Sequence, residues 1–373
     1  MKILRKSAAN LDQLRARMKI PGEGYEILLL PSQLTKQNLE ATYNGLKQFL
    51  QETPDEHFGL ELSDVSVNSY PYFDDRFLVN PISRYRSVRE RSQRCIREIS
   101  EKIAPLFSGK HLYIQFQATG DRYDPGFMPS KDEKREMCRE LSDFARSLED
   151  ATGATIMMEN QNRMCTSFYF PGGLMYNTVI GTRLGDWSEF KLGFPPVFDT
   201  AHDGLDKYTI GQGILYPDGV PTEIGRFSIN VAEDERGFGE KLAQLIETLD
   251  KTGSWFGKRK TEEEIRKLVT DKMIEEMRTY RELLKNGVVH FNNCNFVGVE
   301  TKDEEGKADF SQDLIDMGRV LSVIKEINPV YMLAEVSEKD YLHPVNQEET
   351  LRRIRSMIMG VLLAVSPLLR VPY

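Results

Sequence analysis

Short apolar runs of strand length alternate along this chain with amphipathic helical stretches, one repeat every roughly 40 to 50 residues. That rhythm constrains the fold more than any other feature. Strand–helix–strand units of this size are joined by right-handed crossovers and build parallel α/β structure. The runs are Tyr25-Glu26-Ile27-Leu28-Leu29-Leu30, then residues 64–71, His111-Leu112-Tyr113-Ile114-Gln115-Phe116-Gln117, residues 154–159 and Pro196-Val197-Phe198-Asp199. Helical spacing fills the intervals at 10–18, 35–52, 85–107, 130–150 and 174–192. Ser130 is placed to cap the fourth of these, with Asp132 and Glu133 in its first turn.

After Asp199 the rhythm breaks. Residues 203–287 are too many for one crossover, and Gly211, Gly213, Pro217, Gly219, Pro221 and Gly225 mark irregular turns. Within this stretch 226–231 is the candidate sixth strand, and 234–250 and 261–284 have helical spacing, the second strongly charged as a solvated or partner-facing helix would be. The pattern resumes with a strand at 287–293, a helix at 310–327, a strand at 330–336 and a closing helix at 347–363. Eight strands in this order predict one domain over 1–373, a closed (β/α)8 barrel with a large insertion between strands 5 and 7. The inserted 203–287 segment is a candidate lid or oligomer contact. No GxGxxG or GxxxxGK[ST] follows any strand, which removes the main reason to prefer a doubly wound nucleotide-binding sheet.

Composition narrows the function. A formal net charge of −8 and the lack of a long basic run argue against a protein held to nucleic acid by phosphate contacts. Cys95, Cys138, Cys165 and Cys294 are far apart and form no CxxC pair, as expected of a chain in a reducing, cytoplasmic setting. Residues 1–20 contain no apolar core of a secretory signal. The most apolar segment, 357–369, is too short to span a bilayer and reads as the buried face of a last helix.

Four strand ends carry potential metal ligands: Glu159, Asp199, His290 and Glu335. In a parallel barrel all C-terminal strand ends face the same way, so groups distant in sequence converge there. Singly, each has a commoner structural role, since strand-end carboxylates often cap helices or pair with a base. Together, three carboxylates and one imidazole form a hard, mostly oxygen donor set suited to one Mn²⁺, Co²⁺ or Mg²⁺, with Zn²⁺ also accommodated. His202, three residues past Asp199, reads as a group that contacts substrate or supports the ligands from behind.

Met158-Glu159-Asn160, Phe198-Asp199-Thr200-Ala201-His202, Val289-His290-Phe291-Asn292 and Ala334-Glu335-Val336 resemble the strand-end motifs of the xylose-isomerase-like TIM barrels. That superfamily includes sugar isomerases and epimerases, inosose dehydratases and endonuclease-IV-type enzymes. The resemblance implies a divalent-metal-dependent isomerase or epimerase of a sugar or polyol. Glu159 and Glu335 would exchange protons with the substrate carbon through an enediolate while also holding the ion. It further implies catalytic and substrate contacts from His202, neutral pocket groups at Asn68 and Gln117, and a homo-oligomer. The chain departs from the ketose epimerases in lacking a further acid soon after Glu159 and an Arg soon after His290. A three-metal phosphodiesterase needs extra strand-end histidines that this chain does not have. That hydrolase is the main alternative, followed by a polyol dehydratase or lyase on the same metal site, and last by a pocket kept only for binding.

Overall fold

The computed structural model describes residues 1–359 except 36–37, 63–64, 67–76, 119, 123, 125–128, 168–173, 223–224, 295–313, 337 and 339. Eight strands form a closed, all-parallel barrel: β1 Lys2–Ala8, β2 Gly24–Leu29, β3 His57–Leu62, β4 His111–Gln117, β5 Thr155–Glu159, β6 Pro196–Asp199, β7 Val288–Phe291 and β8 Tyr331–Ala334. Each strand lies beside its sequence neighbours, and β1 closes the ring by pairing with β8 through Lys2–Leu4 and with β2 through Arg5–Ala8. The expected closed parallel barrel is therefore present.

Two strands differ from the sequence expectation. β1 was hidden because Lys2, Arg5 and Lys6 interrupt its apolar pattern. The structure satisfies those charges locally: Arg5 donates to the Ile20 and Gly22 carbonyls at 2.7 and 2.8 Å and pairs with Asp55 at 2.9 Å. The third barrel strand is β3 at His57–Leu62; of the strand expected at 64–71, Val65–Ser66 form a two-residue strand outside the barrel, and the other positions lie outside the described residues. Residues 226–231 are not a barrel strand either, since Gly225–Phe227 pairs antiparallel with Val220–Thr222 in a separate hairpin. With β1 counted, Asp199 ends the sixth strand, and the long segment lies between β6 and β7.

The helices are α1 Leu11–Arg17, α2 Leu39–Glu52, α3 Arg86–Ile103, α4 Lys131–Thr152, α5 Leu184–Glu189, α6 Thr200–Leu215, α7 Glu233–Lys251, α8 Trp255–Thr279, α9 Arg281–Lys285, α10 Met317–Ile327 and α11 Val345–Met359. α4 has the anticipated start, a reciprocal capping box between Ser130 and Glu133, and it stops at Gly153 in the left-handed region (φ 67°). The expected helix at 174–192 is a short strand, Leu174–Asn177, followed by α5. Residues 203–215 belong to α6, so the start of the predicted insertion is the crossover helix itself, and the rest holds the hairpin and α7–α9. Of the apolar face expected at 357–369, Met357 and Met359 are exposed and Ile358 packs against the core, while residues 360–373 lie outside the described ones.

Buried aliphatic and aromatic side chains between barrel and helices form the main core in two adjoining clusters. A smaller one, Leu4, Tyr113, Met157, Val197, Val288, Tyr331 and Leu333, fills the barrel interior below the polar strand ends.

Candidate metal centre at the carboxyl ends of the strands

Strand register brings the polar groups together. Asp199 stands level with His290, Lys6 with Glu26, Glu61 with Gln115 and Gln117 with Glu159. The ends of β5 and β6 are clamped by Asn160, whose side chain accepts from Asp199 N at 2.6 Å and donates to Asp199 O at 3.2 Å. Thr200 links β6 to β7, its hydroxyl oxygen accepting from Asn292 N at 2.9 Å. Glu335 follows β8 by one residue.

His290 is fully buried at the centre. Its Nε2 donates to Glu26 Oε2 at 3.0 Å, which turns Nδ1 toward the carboxylates. Nδ1 lies 3.4 Å from Glu335 Oε1, 3.6 Å from Glu159 Oε1 and 3.9 Å from Asp199 Oδ2, and it makes no hydrogen bond. These separations exceed ordinary N–H···O contacts. They are close to the roughly 3.4 Å between donor atoms that share one ion at about 2.1 Å in tetrahedral array. With Nε2 carrying its proton and Nδ1 deprotonated, as ion binding requires, an imidazole lone pair and three carboxylate oxygens face one another, an arrangement relieved by a bound cation in place of a proton on Nδ1. The residues present fit a divalent ion. Asp199 has a second task, since its Oδ1 caps α6 by accepting from Ala201 N at 2.7 Å and His202 N at 2.9 Å. The helix-cap reading and the ligand reading of this residue hold together.

Beneath the ligands lies a layer missed in the sequence. Lys6 Nζ is 3.1 Å from Glu26 Oε1 and 2.5 Å from Glu61 Oε2, and it contacts Glu335 Oε1. Tyr113 donates to Glu26 Oε2 at 2.6 Å. Its ring has room because position 59 is glycine, where a Cβ would lie 2.2 Å from the ring. Gln115 donates to Glu159 Oε2 at 3.2 Å. Glu26 carried a readable signal, since a carboxylate inside an apolar run of a buried strand must have a partner. Lys6 and Glu61 lie on the two strands misplaced in the sequence.

Electrostatics follow from this crowding. Burial opposes charge on every group. At Glu26, His290 and Lys6 outweigh burial and hold the carboxyl down at about 2. At Glu61 burial prevails over Lys6, and with Glu26 and Glu159 nearby the carboxyl is pushed up to about 7. For His290, Glu26 and Glu159 outweigh burial and push the imidazolium up to about 10. Such a site draws positive charge strongly.

His202 is buried, with Nδ1 donating to Asn160 O at 2.8 Å and lying 3.4 Å from Glu159 Oε1. It therefore stands beside the ligand set. Gln117 ends β4 level with Glu159 and accepts from Gln161 at 3.4 Å, whereas its neighbour Gln115 reaches Glu159 directly. Asn68 lies outside the described residues. A further group, Glu56, His57 and His111, sits at the opposite end of the barrel. There the two imidazoles stack in parallel at 4.6 Å, so their nitrogens do not converge on one point.

No protein-family profile matches the chain, and no curated protein sequence matches it. Solved structures do. The fold is similar to an L-ribulose 3-epimerase (TM-score 0.52, 9% identity, 98% of this chain and 99% of that one). It is also similar to D-psicose 3-epimerase from Clostridium cellulolyticum H10, solved with D-tagatose (TM-score 0.51, 10% identity, 96% and 99%). A third match is 3-keto-D-glucoside 4-epimerase from E. coli (TM-score 0.49, 15% identity, 95% and 99%). At these identities, what the likenesses show is the fold, a closed parallel (β/α)8 barrel.

Proposed function

We propose that the chain is a divalent-metal-dependent sugar or polyol isomerase or epimerase. The observation that carries this reading is the convergence of Glu159, Asp199 and Glu335 oxygens on the unpartnered Nδ1 of His290 at 3.4–3.9 Å. Glu159, Asp199, His290 and Glu335 would hold one ion, and the oxygen-rich set favours Mn²⁺, Co²⁺ or Mg²⁺ over Zn²⁺. When bound, the ion supplies Lewis-acid polarisation of a substrate carbonyl. Glu159 and Glu335 approach that centre from β5 and β8, so one removes a proton alpha to the carbonyl and the other returns it. His202, its Nδ1 proton committed to Asn160 O, offers Nε2 to a substrate hydroxyl. Gln117 adds a neutral hydrogen-bonding wall. The widely spaced cysteines agree with a cytoplasmic location, and no described helix is long and apolar enough to cross a membrane.

Metal analysis and solvent exchange test this reading. The purified protein is expected to bind one divalent ion and to wash deuterium from solvent into one carbon of a ketose substrate. Glu159→Gln and Glu335→Gln should each slow that exchange by at least ~10²-fold. Full exchange in both variants would refute the assigned roles. A chain that takes up no Mn²⁺ or Co²⁺ would refute the metal centre.

A further inference from the structure

Behind the His290 centre, Lys6 Nζ stands in a second ring of oxygens. It lies 3.1 Å from Glu26 Oε1 and 2.5 Å from Glu61 Oε2, and it donates to Glu335 Oε1. These carboxylates belong to β2, to β3 and to the residue after β8, so strands on both sides of β1 supply them. The backbone holds the lysine in place. Lys6 stands level with Glu26 in the β1–β2 register, and its carbonyl accepts from Gln347 Nε2 of α11 at 2.8 Å.

Two observations separate this arrangement from an ordinary ion pair. Glu26 Oε1 and Glu61 Oε2 are buried, and neither accepts a hydrogen bond from any described residue. The ammonium therefore faces them as a charge, without the directed N–H donation that a lysine pair normally has. Oxygens gathered around a charge, with no hydrogen-bond geometry to satisfy, are the surroundings of a hard metal ion. Glu335 Oε1 is moreover shared. It touches Lys6 Nζ on one side and lies 3.4 Å from His290 Nδ1 on the other. That is where a bridging carboxylate stands when two ions sit side by side.

We infer that Lys6 is a tethered cation filling a second divalent-ion position, built from Glu26, Glu61 and Glu335, and that it thereby limits the centre to one exchangeable ion. The inference rests on the proposed metal centre at His290 for that one ion. Three carboxylate oxygens suit Mn²⁺ or Mg²⁺, which would draw them in to about 2.1 Å once the ammonium is gone. The lysine also decides what chemistry the strand ends can do. Two adjacent ions clamp the attacking and leaving oxygens of a hydrolysis, and a fixed ammonium, which carries no bound water, does not. Glu335 benefits as well. A carboxylate held between two divalent ions is a poor base, whereas one beside a single ion and an ammonium keeps more of its affinity for a proton. Lys6 therefore favours proton transfer over two-ion hydrolysis.

Equilibrium dialysis against Mn²⁺, with electron paramagnetic resonance on the loaded full chain, tests this. The wild type is expected to hold one ion with the spectrum of an isolated Mn²⁺. Lys6→Ala should hold two, with the spectrum of a spin-coupled pair. Lys6→Arg keeps the cation and should stay at one, as should Lys6→Ala combined with Glu61→Gln, which removes a carboxylate of the second position. Lys6→Ala leaves buried carboxylates without their cation, so it should melt below the wild type in the absence of metal and recover in millimolar Mn²⁺. A Lys6→Ala protein that holds one ion beside a one-ion wild type would overturn the inference and leave the His290 centre standing. So would one that Mn²⁺ at no concentration can fold, or a wild type that already holds two. A wild type with no ion beside a Lys6→Ala protein with one would instead support the role of Lys6 and refute the His290 centre.

Discussion

At the residue scale, Glu26 shows how much of the candidate metal centre lies behind its proposed ligands. It accepts from His290 and Tyr113 and pairs with Lys6, so it fixes the tautomer and direction of the imidazole. Glu26→Gln is expected to weaken divalent-ion binding by about 10–100-fold in calorimetry while leaving the stoichiometry at one; unchanged affinity would show that Glu26 does not orient His290. The four candidate ligands were legible because they end strands and are few. Their supports were legible only in part. A sequence shows that Glu26 interrupts an apolar run, but the partner that satisfies it, Lys6, comes from a strand whose own charges concealed it.

At the element scale, α6 is the most constrained helix. Asp199 caps its start, and its body holds a buried trio in which Lys207 Nζ reaches Asp203 Oδ1 at 2.6 Å and Glu276 Oε2 of α8 at 2.8 Å. One ammonium serves two carboxylates, and burial, against the pull of Lys207, pushes Asp203 up to about 7. A carboxyl with a raised pKa in the folded state keeps its proton where the unfolded chain has lost it. Its contribution is complete below the ordinary value of 3.8 and is lost as pH rises to about 7. Asp203→Asn should flatten that decline, by at most about 1.4 kcal/mol per pH unit within the window, in urea melts run at several pH values. Parallel slopes for both proteins would refute it. This element also explains what the sequence concealed about the long segment. With β1 uncounted and α6 buried on nearly all sides, a crossover helix looked like the start of an insertion, and the hairpin strand at Gly225–Phe227 looked like part of a barrel strand at 226–231.

At the scale of the whole molecule, the barrel was legible from its period alone, since no other arrangement accommodates so many strand–helix repeats without an edge. Strand identity was less so, because Lys2, Arg5 and Lys6 interrupt the apolar pattern of β1 and a buried Glu61 interrupts that of β3. Ion binding should report on the entire fold. At free Mn²⁺ a hundredfold above its dissociation constant, linkage raises the unfolding free energy by about 2.7 kcal/mol. A calorimetric rise in melting temperature is expected in the wild type and should disappear in Asp199→Asn. A wild-type melting point indifferent to Mn²⁺ would exclude tight binding.

The closing seam has one more consequence. Lys6 and Glu335 touch, yet 329 residues separate them. While the chain emerges from the ribosome, amino end first, Glu335 is among the last of these groups to appear, and β1 must wait for β8 before the ring can shut. A translation product stopped short of β8 therefore has no ring and only part of the centre. Closure of the ring and completion of the candidate centre thus coincide.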